Sequence, residues 1–334
     1  MKQILQEMTF VNKLGPKFLR FCMDLTIYAY RGDFEHYTKD IIFKSLESKI
    51  SQPAFYVLKL AKYNDSIFVV TRGAVTTYDF QTILDMSEIK TEYGTFHSGF
   101  YKAAKFVYDK VKPILQDESN KSKQVYFVGH SLGGAVSASL ILLFQNKNYK
   151  SIVFGAPPVV DLSHSMKYEN CIASFVAEHD LIPTLSVPNI AKQLKERIPD
   201  SFTPEMLNSK DDQFHKRLIN EFNKILDSFD TEGVPAGKEV VASLKNAAPL
   251  FIENVIQLIR DKLDKVVRFT PGCVFHITKM NTDSENKQIP LRKKKLSDFK
   301  VNATDELDIL SSSKSAVADH PPGSYESCLD MLID

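Results

Sequence analysis

The residues Gly129-His130-Ser131-Leu132-Gly133, with Gly134 following, place a serine between two glycines at the spacing of a nucleophile elbow. In such an elbow a strand turns abruptly into a helix, and the serine at the turn holds a strained backbone that presents its hydroxyl above the sheet. The glycines are needed because a Cβ on either side would strike the neighbouring strand or helix. The helix N-terminus supplies free N–H groups and a partial positive charge, which suit a developing oxyanion. The chemistry such an elbow would perform is acyl transfer through a covalent acyl-Ser131.

A serine hydroxyl needs a general base, and the base needs a carboxylate to orient it. In α/β-hydrolases the chain order is Ser, acid, His. Asp180 lies just past the apolar run CIASFVAE, where loops at strand ends build sites. Asp161, after FGAPPVV, is the rival acid. Three later histidines compete for the base. His215 falls in a charged helical stretch and His276 falls mid-strand. His320 precedes Pro321-Pro322-Gly323, a shaped loop suited to a catalytic imidazole. Side-chain type and spacing leave these choices open.

The elements that must position these residues read as alternating strands and helices. AFYVLKLAKY and SIFVVTRG, split by Asn64-Asp65, predict a hairpin. YDFQTILDM and GFYKAAKFVYDKVKPIL predict helices. QVYFVG, YKSIVFGAP and CIASFVAE are the continuous apolar runs of strands buried on both faces, and a helix is expected from near Ser131. The first 50 residues read as helical, on the spacing of Phe18, Phe21, Cys22, Leu25 and Tyr28. Residues 187–265 read as a helical insertion, a cap or a lid, with Val240, Leu244, Phe251, Val255, Ile259 and Leu263 at helical spacing. Strand character returns in VVRFTPGCVFHITKM. The expected fold is a single α/β domain over residues 1–334, with a mostly parallel sheet interrupted by that insertion.

Several segments together resemble the class 3 (fungal-type) lipases, and among them most closely the sn-1-specific diacylglycerol lipases. They are SIFVVTRGA with Asp79 and Asp85 beyond it, FHSGF, FVGHSLGGA, VFGAPPVV, HDLIPTLS, RFTPGCVFHI and ADHPPGSYESCL, in the family's order. The resemblance implies an α/β-hydrolase fold and a triad of Ser131, Asp180 and His320. It also implies an oxyanion hole made by the amides of Ala74 and Leu132. Where the family usually has Thr or Ser after the Arg-Gly pair, this chain has Ala74, so a hydroxyl donor is missing. One such donor can be worth ~3 kcal/mol. The same resemblance makes Arg72 a structural ion-pair partner. His97 reads as a packing residue, and Asp79 and Asp85 as helix caps or partners of Arg72.

Composition narrows the function classes. Forty-two Lys and Arg against 41 Asp and Glu leave none of the basic excess that bulk-charge nucleic-acid binding requires. The four cysteines form no C-x-x-C pair, which argues against a thiolate zinc site. Neither a metal nor an organic cofactor is expected. No signal-like h-region and no apolar run long enough to span a bilayer are visible, so the expectation is a cytoplasmic protein. A glycerolipid substrate would still require reversible contact with a membrane surface, for which the 240–265 helices and the basic run Arg292 to Lys295 are the expected contacts. No protein partner is implied. The competing readings are a phospholipase A1 or general carboxylesterase and, from another class, a catalytically silent lipase-like binding module.

Overall fold

A computed structural model describes residues 9–180, 182–184, 212–227, scattered positions within 241–256, and 269–277, 300–301 and 319–333. An eight-stranded sheet runs in the order β1-β2-β3-β6-β7-β8-β9-β10. The first three strands, β1 (Ile41–Ser45), β2 (Phe55–Leu60) and β3 (Ser66–Thr71), are antiparallel neighbours. The expected β2–β3 hairpin is present, and Asn64 and Asp65 both take φ 55°, a left-handed turn that short polar side chains tolerate. From β3 onward the sheet is parallel through β6 (Val125–His130), β7 (Lys150–Phe154), β8 (Ile172–Ala177) and β9 (Cys273–Ile277). A short β10 (Lys300–Val301) closes the far edge antiparallel to β9. This is the α/β-hydrolase fold.

Strand periodicity divides the side chains between two cores. Ile67 and Val69 of β3 face one cluster, while Phe68 and Val70 face the other. The first cluster is covered by α3 (Ser98–Gln116) and α4 (Leu132–Phe144). The second is covered by α1 (Thr9–Arg31) and the C-terminal α7 (Pro322–Ile333). On that second face Phe275, Phe175 and Phe154 stack from strand to strand with ring centroids 5.2 and 5.5 Å apart, and Tyr325 of α7 meets Phe154 edge-on at 6.0 Å. Each aromatic pair adds about 0.5–1.5 kcal/mol beyond its buried area. The ladder therefore seats Tyr325 firmly over the carboxyl ends of the strands.

One expectation needs correction, and one hairpin goes beyond what the sequence predicts. Helix does not continue to residue 50. It stops at Arg31, because Gly32 takes φ 68°, and β-branched Ile41 and Ile42 then enter the edge strand β1. Nor is the stretch between α2 (Thr77–Leu84) and α3 a plain connection. It forms a second hairpin, β4 (Glu88–Thr91) and β5 (Gly94–His97), turning at Gly94 with φ 126°. The hairpin is pinned to the loop after β7: the Thr95 amide donates to Asp161 Oδ2 at 2.9 Å and the His97 amide to the Val159 carbonyl at 2.9 Å.

The remaining helices are α5 (Leu162–Lys167) and α6 (Asp212–Asp227). The latter falls in the expected insertion, where Ala248, Ile252 and Ile256 are also buried at a spacing of four. The residues named there on sequence periodicity, and the run Arg292 to Lys295, lie outside the described residues. Among the described residues no helix is long and apolar enough to cross a membrane.

Candidate active site

Ser131 sits between β6 and α4 with φ 55° and ψ −126°, a conformation open to few residues other than glycine. Backbone strain of this kind costs about 1–3 kcal/mol and persists only where the surroundings enforce it. Here the close approach of elements enforces it. A Cβ on Gly129 would lie 2.3 Å from the Gly133 carbonyl, and one on Gly133 would lie 2.1 Å from the Thr71 carbonyl oxygen. The two glycines of the motif therefore let α4 start directly against β6 and β3.

His320 Nε2 lies 2.9 Å from the Ser131 hydroxyl, and His320 Nδ1 lies 2.9 Å from Asp180 Oδ2. A carboxylate only accepts, so Nδ1 carries the proton and Nε2 is left free to accept from the serine. Asp180 is fully buried in a turn after β8 and is satisfied on both oxygens. Its Oδ1 accepts from the Ile182 amide at 2.9 Å, and its Oδ2 also accepts the hydroxyl of Tyr325. Burial and the adjacent carboxylate push the Tyr325 phenol well above its ordinary range, so it stays a donor. Gly155, at φ 55°, leaves the space these groups meet in. A Cβ there would lie 2.9 Å from Asp180 Oδ2, 2.9 Å from the Tyr325 hydroxyl and 3.0 Å from His320 Cε1.

The residue before the nucleophile has a defined place as well. His130 Nε2 donates to the main-chain carbonyl of His320 at 2.8 Å, and its Nδ1 accepts from the Tyr30 hydroxyl at 2.9 Å. The carbonyl can only accept, which fixes this tautomer. Burial above all, and then the proximity of His320, holds His130 well below the ordinary histidine pKa. It is therefore neutral beside the triad. Gly73 makes room for Tyr30, since a Cβ at that position would overlap the phenol.

The rival candidates are elsewhere engaged. Asp161 caps α5 and bonds His164 Nδ1 at 2.9 Å. Burial alone would raise its pKa, but hydrogen bonds from Ser163, the Thr95 amide and His164 hold it far below the usual carboxylate range. His215 pairs with Glu253 at 3.2 Å, and His276 donates to the Glu178 carbonyl, steadying the turn that leads to Asp180. Arg72 pairs with Asp79 at 3.5 Å and with the Ser48 hydroxyl at 2.7 Å. Asp79 forms a capping box with Thr76 and accepts the amides of Val75 and Thr76. The loop bearing Ala74 is thereby held from below. Leu132 opens α4, so its amide is one of those without an intrahelical partner. His97 is buried, caps α3 and stacks on Phe100. Asp85 takes Lys102, Ser87 and Ser98. Among the described residues no group of three or more metal-ligating side chains is present.

Residues 68–190 match the family described as Lipase (class 3). That match spans the elbow and the acid and stops well before His320. Solved structures similar to this chain include a fungal lipase–inhibitor complex, at 21% identity and a TM-score of 0.46 over 51% of this chain and 74% of that one. The lipase of Rhizomucor miehei with its propeptide is similar at 23% identity and a TM-score of 0.43, over 51% of this chain and 62% of the other. Lip2 lipase of Yarrowia lipolytica is similar at 17% identity and a TM-score of 0.43, over 51% and 73%. No curated protein matches the chain in sequence. The strand order and the elbow, not these likenesses, define the fold.

Tyr30, His130 and Tyr325 were not visible as site residues in the sequence. Tyr325 stands five positions beyond His320 in a helix, an i-to-acid contact that no local pattern announces. His130 occupies the variable position of the elbow motif.

Proposed function

We propose that this protein is a serine hydrolase that cleaves acyl esters of glycerolipids. The observation that carries the reading is the continuous hydrogen-bonded line from the Ser131 hydroxyl through His320 to a buried Asp180, mounted on a strained elbow. His320 takes the Ser131 proton as the hydroxyl attacks the ester carbonyl, and Asp180 holds the imidazole and supports its charged form. The amides of Ala74 and Leu132 receive the oxyanion. His320 then protonates the leaving glycerolipid alcohol, and later activates the water that frees the fatty acid from acyl-Ser131. No step calls for a metal or an organic cofactor.

The match of residues 68–190 to Lipase (class 3) supports a lipid ester as substrate. The finer reading is a preference for the sn-1 ester of diacylglycerol, supported by the resemblance of RFTPGCVFHI and ADHPPGSYESCL. A phospholipase A1 would share every step. One observation favours a silent lipase-like module instead: Ala74 offers no side-chain hydroxyl to the oxyanion. We further propose that the protein works in the cytoplasm and docks reversibly on membrane surfaces that hold its substrate.

A serine-directed fluorophosphonate should label the wild type, and Ser131→Ala should abolish both labelling and hydrolysis of a short-chain ester. His320→Ala should lower turnover by several orders of magnitude, since triad members act as a unit. His276→Ala and His215→Ala should stay within about tenfold of the wild type, because neither reaches the serine. Labelling that survives in Ser131→Ala would move the nucleophile elsewhere, and an unlabelled wild type would leave the silent module standing. Diacylglycerol offered against a phospholipid of the same acyl chains then separates the two lipase readings.

A further inference from the structure

Two side chains of α1 reach the segment that carries His320, from two directions. Tyr30, near the end of the helix, bonds His130, and His130 bonds the main-chain carbonyl of His320. This relay grips the backbone of the base, and the His130 ring also lies against the His320 imidazole, with centroids 4.6 Å apart. Ten residues earlier, about 15 Å along the helix, Arg20 binds three carboxylates at once. Its Nε meets Asp330 Oδ1 at 2.6 Å, its Nη2 meets Glu326, and its Nη1 meets Asp24 on its own helix. Glu326 and Asp330 are one turn apart on α7. Glu326 directly follows Tyr325, the residue that bonds Asp180.

The arrangement is more specific than a surface ion pair. An exposed Lys–Glu contact contributes little and tolerates loose geometry. A guanidinium is a planar fork whose donors fix the direction of each partner. Here one cation faces three anions, so removing it leaves Asp24 of α1 facing the carboxylates of α7, with Lys62 the remaining cation acting on Asp24. Beneath it, Leu19, Cys22 and Met23 of α1 share a core with Cys328 and Leu329 of α7. The apolar contact brings the helices together, and Arg20 selects one register of α7 along α1.

We propose that α1 is a positioning element of the active site: Tyr30 fixes the main chain at His320, and Arg20 fixes the helix that follows it. Together they hold the imidazole within reach of Ser131. The proposal rests on Ser131 and His320 acting as nucleophile and base.

The test compares Tyr30→Phe, Arg20→Ala and Arg20→Lys with the wild type, each shown to be folded by circular dichroism at the assay temperature. Tyr30→Phe and Arg20→Ala should each lower kcat for ester hydrolysis by about tenfold or more while KM stays within about twofold, because only the geometry of the base changes. Arg20→Lys should recover part of the loss, since an ammonium restores the charge but not the fork. Native-state hydrogen exchange supplies a readout that needs no activity. Both disruptive variants should lose protection across residues 319–326 while β6 and α4 keep theirs. A wild type that neither labels nor turns over would overturn the proposed function, while the exchange pattern would still decide whether α1 holds this segment. Wild-type kcat in the variants, or a uniform loss of protection through the sheet, would reduce α1 to ordinary packing and overturn the inference.

Discussion

Tyr325 donates its hydroxyl to the same oxygen of Asp180 that accepts the Nδ1–H of His320. Asp180 is thus oriented by two donors on one oxygen and by the Ile182 amide on the other. A second link ties the two loops together. Asp319 accepts the amide of His179 at 3.1 Å and lies 3.5 Å from its ring, so the neighbours of Asp180 and His320 are themselves paired.

Tyr325→Phe keeps the ring on Phe154 and removes only the hydroxyl. A hydrogen bond to a charged group contributes ~1.5–3 kcal/mol, so the midpoint of chemical denaturation should fall by a corresponding amount. Turnover should drop about tenfold with little change in KM, because Asp180 is freed to rotate away from His320. Equal stability and equal kcat in the variant would mean that the Ile182 amide and His320 suffice to hold the carboxylate.

Gly155→Ala should damage activity more than stability. A left-handed residue with a Cβ costs about 1–2 kcal/mol. The added methyl would meet Asp180, Tyr325 and His320 within 3.0 Å, so these groups must move apart. The expected result is a folded protein that a fluorophosphonate labels slowly. Full labelling at the wild-type rate would show that the triad can give way without loss.

His130 sets a pH dependence of stability. Its folded pKa lies well below 6.5, so below that value the unfolded chain takes up a proton that the folded state refuses. Stability from this group is complete above about pH 6.5 and is lost as pH falls from there toward the folded pKa, at a slope approaching ~1.4 kcal/mol per pH unit. Urea denaturation between pH 7 and pH 5 should show that slope in the wild type and a shallower one in His130→Gln. Parallel lines would place the buried proton uptake on another residue.

Ala74→Thr introduces, in the loop braced by Asp79, the hydroxyl that the resemblance to class 3 lipases leads one to expect there. Turnover should stay level or rise, and the gain is bounded by ~3 kcal/mol, or roughly 150-fold. A large loss, measured on the same short-chain ester, would mean that Ala74 is packed where a hydroxyl and a methyl do not fit.

The parts of the site legible in the sequence were those with short-range signatures. A continuous apolar strand, two glycines around a serine and an apolar helix announced the elbow, because its geometry is dictated within about ten residues. From residue type and spacing Asp180 and His320 are legible only as choices, since nothing local separates Asp180 from the cap Asp161, and it is the family resemblance that singles them out. The edge strand at Ile41–Ser45 alternates in burial, but apolar Ile42 stands on its exposed face, so the sequence lacks the apolar–polar alternation that marks a strand. The β4–β5 hairpin was missed for a related reason: each strand has only four residues, and its order comes from Asp161 and Val159, more than 60 positions away. Tyr30 and Arg20 are legible in no window, because they act through residues 100 and more than 300 positions distant.

The separation of Ser131 from His320, 189 positions, also governs when the site comes into being. The elbow, β7 and β8 are built from neighbouring segments and can form as the sheet condenses. Bringing α7 against α1 closes nearly the whole chain, and such long-range closures are late and slow. A refolding intermediate with a finished sheet would hold a strained Ser131 with His320 not yet beside it. Ester hydrolysis regained during refolding therefore times the docking of residues 319–333, lagging behind the recovery of secondary structure.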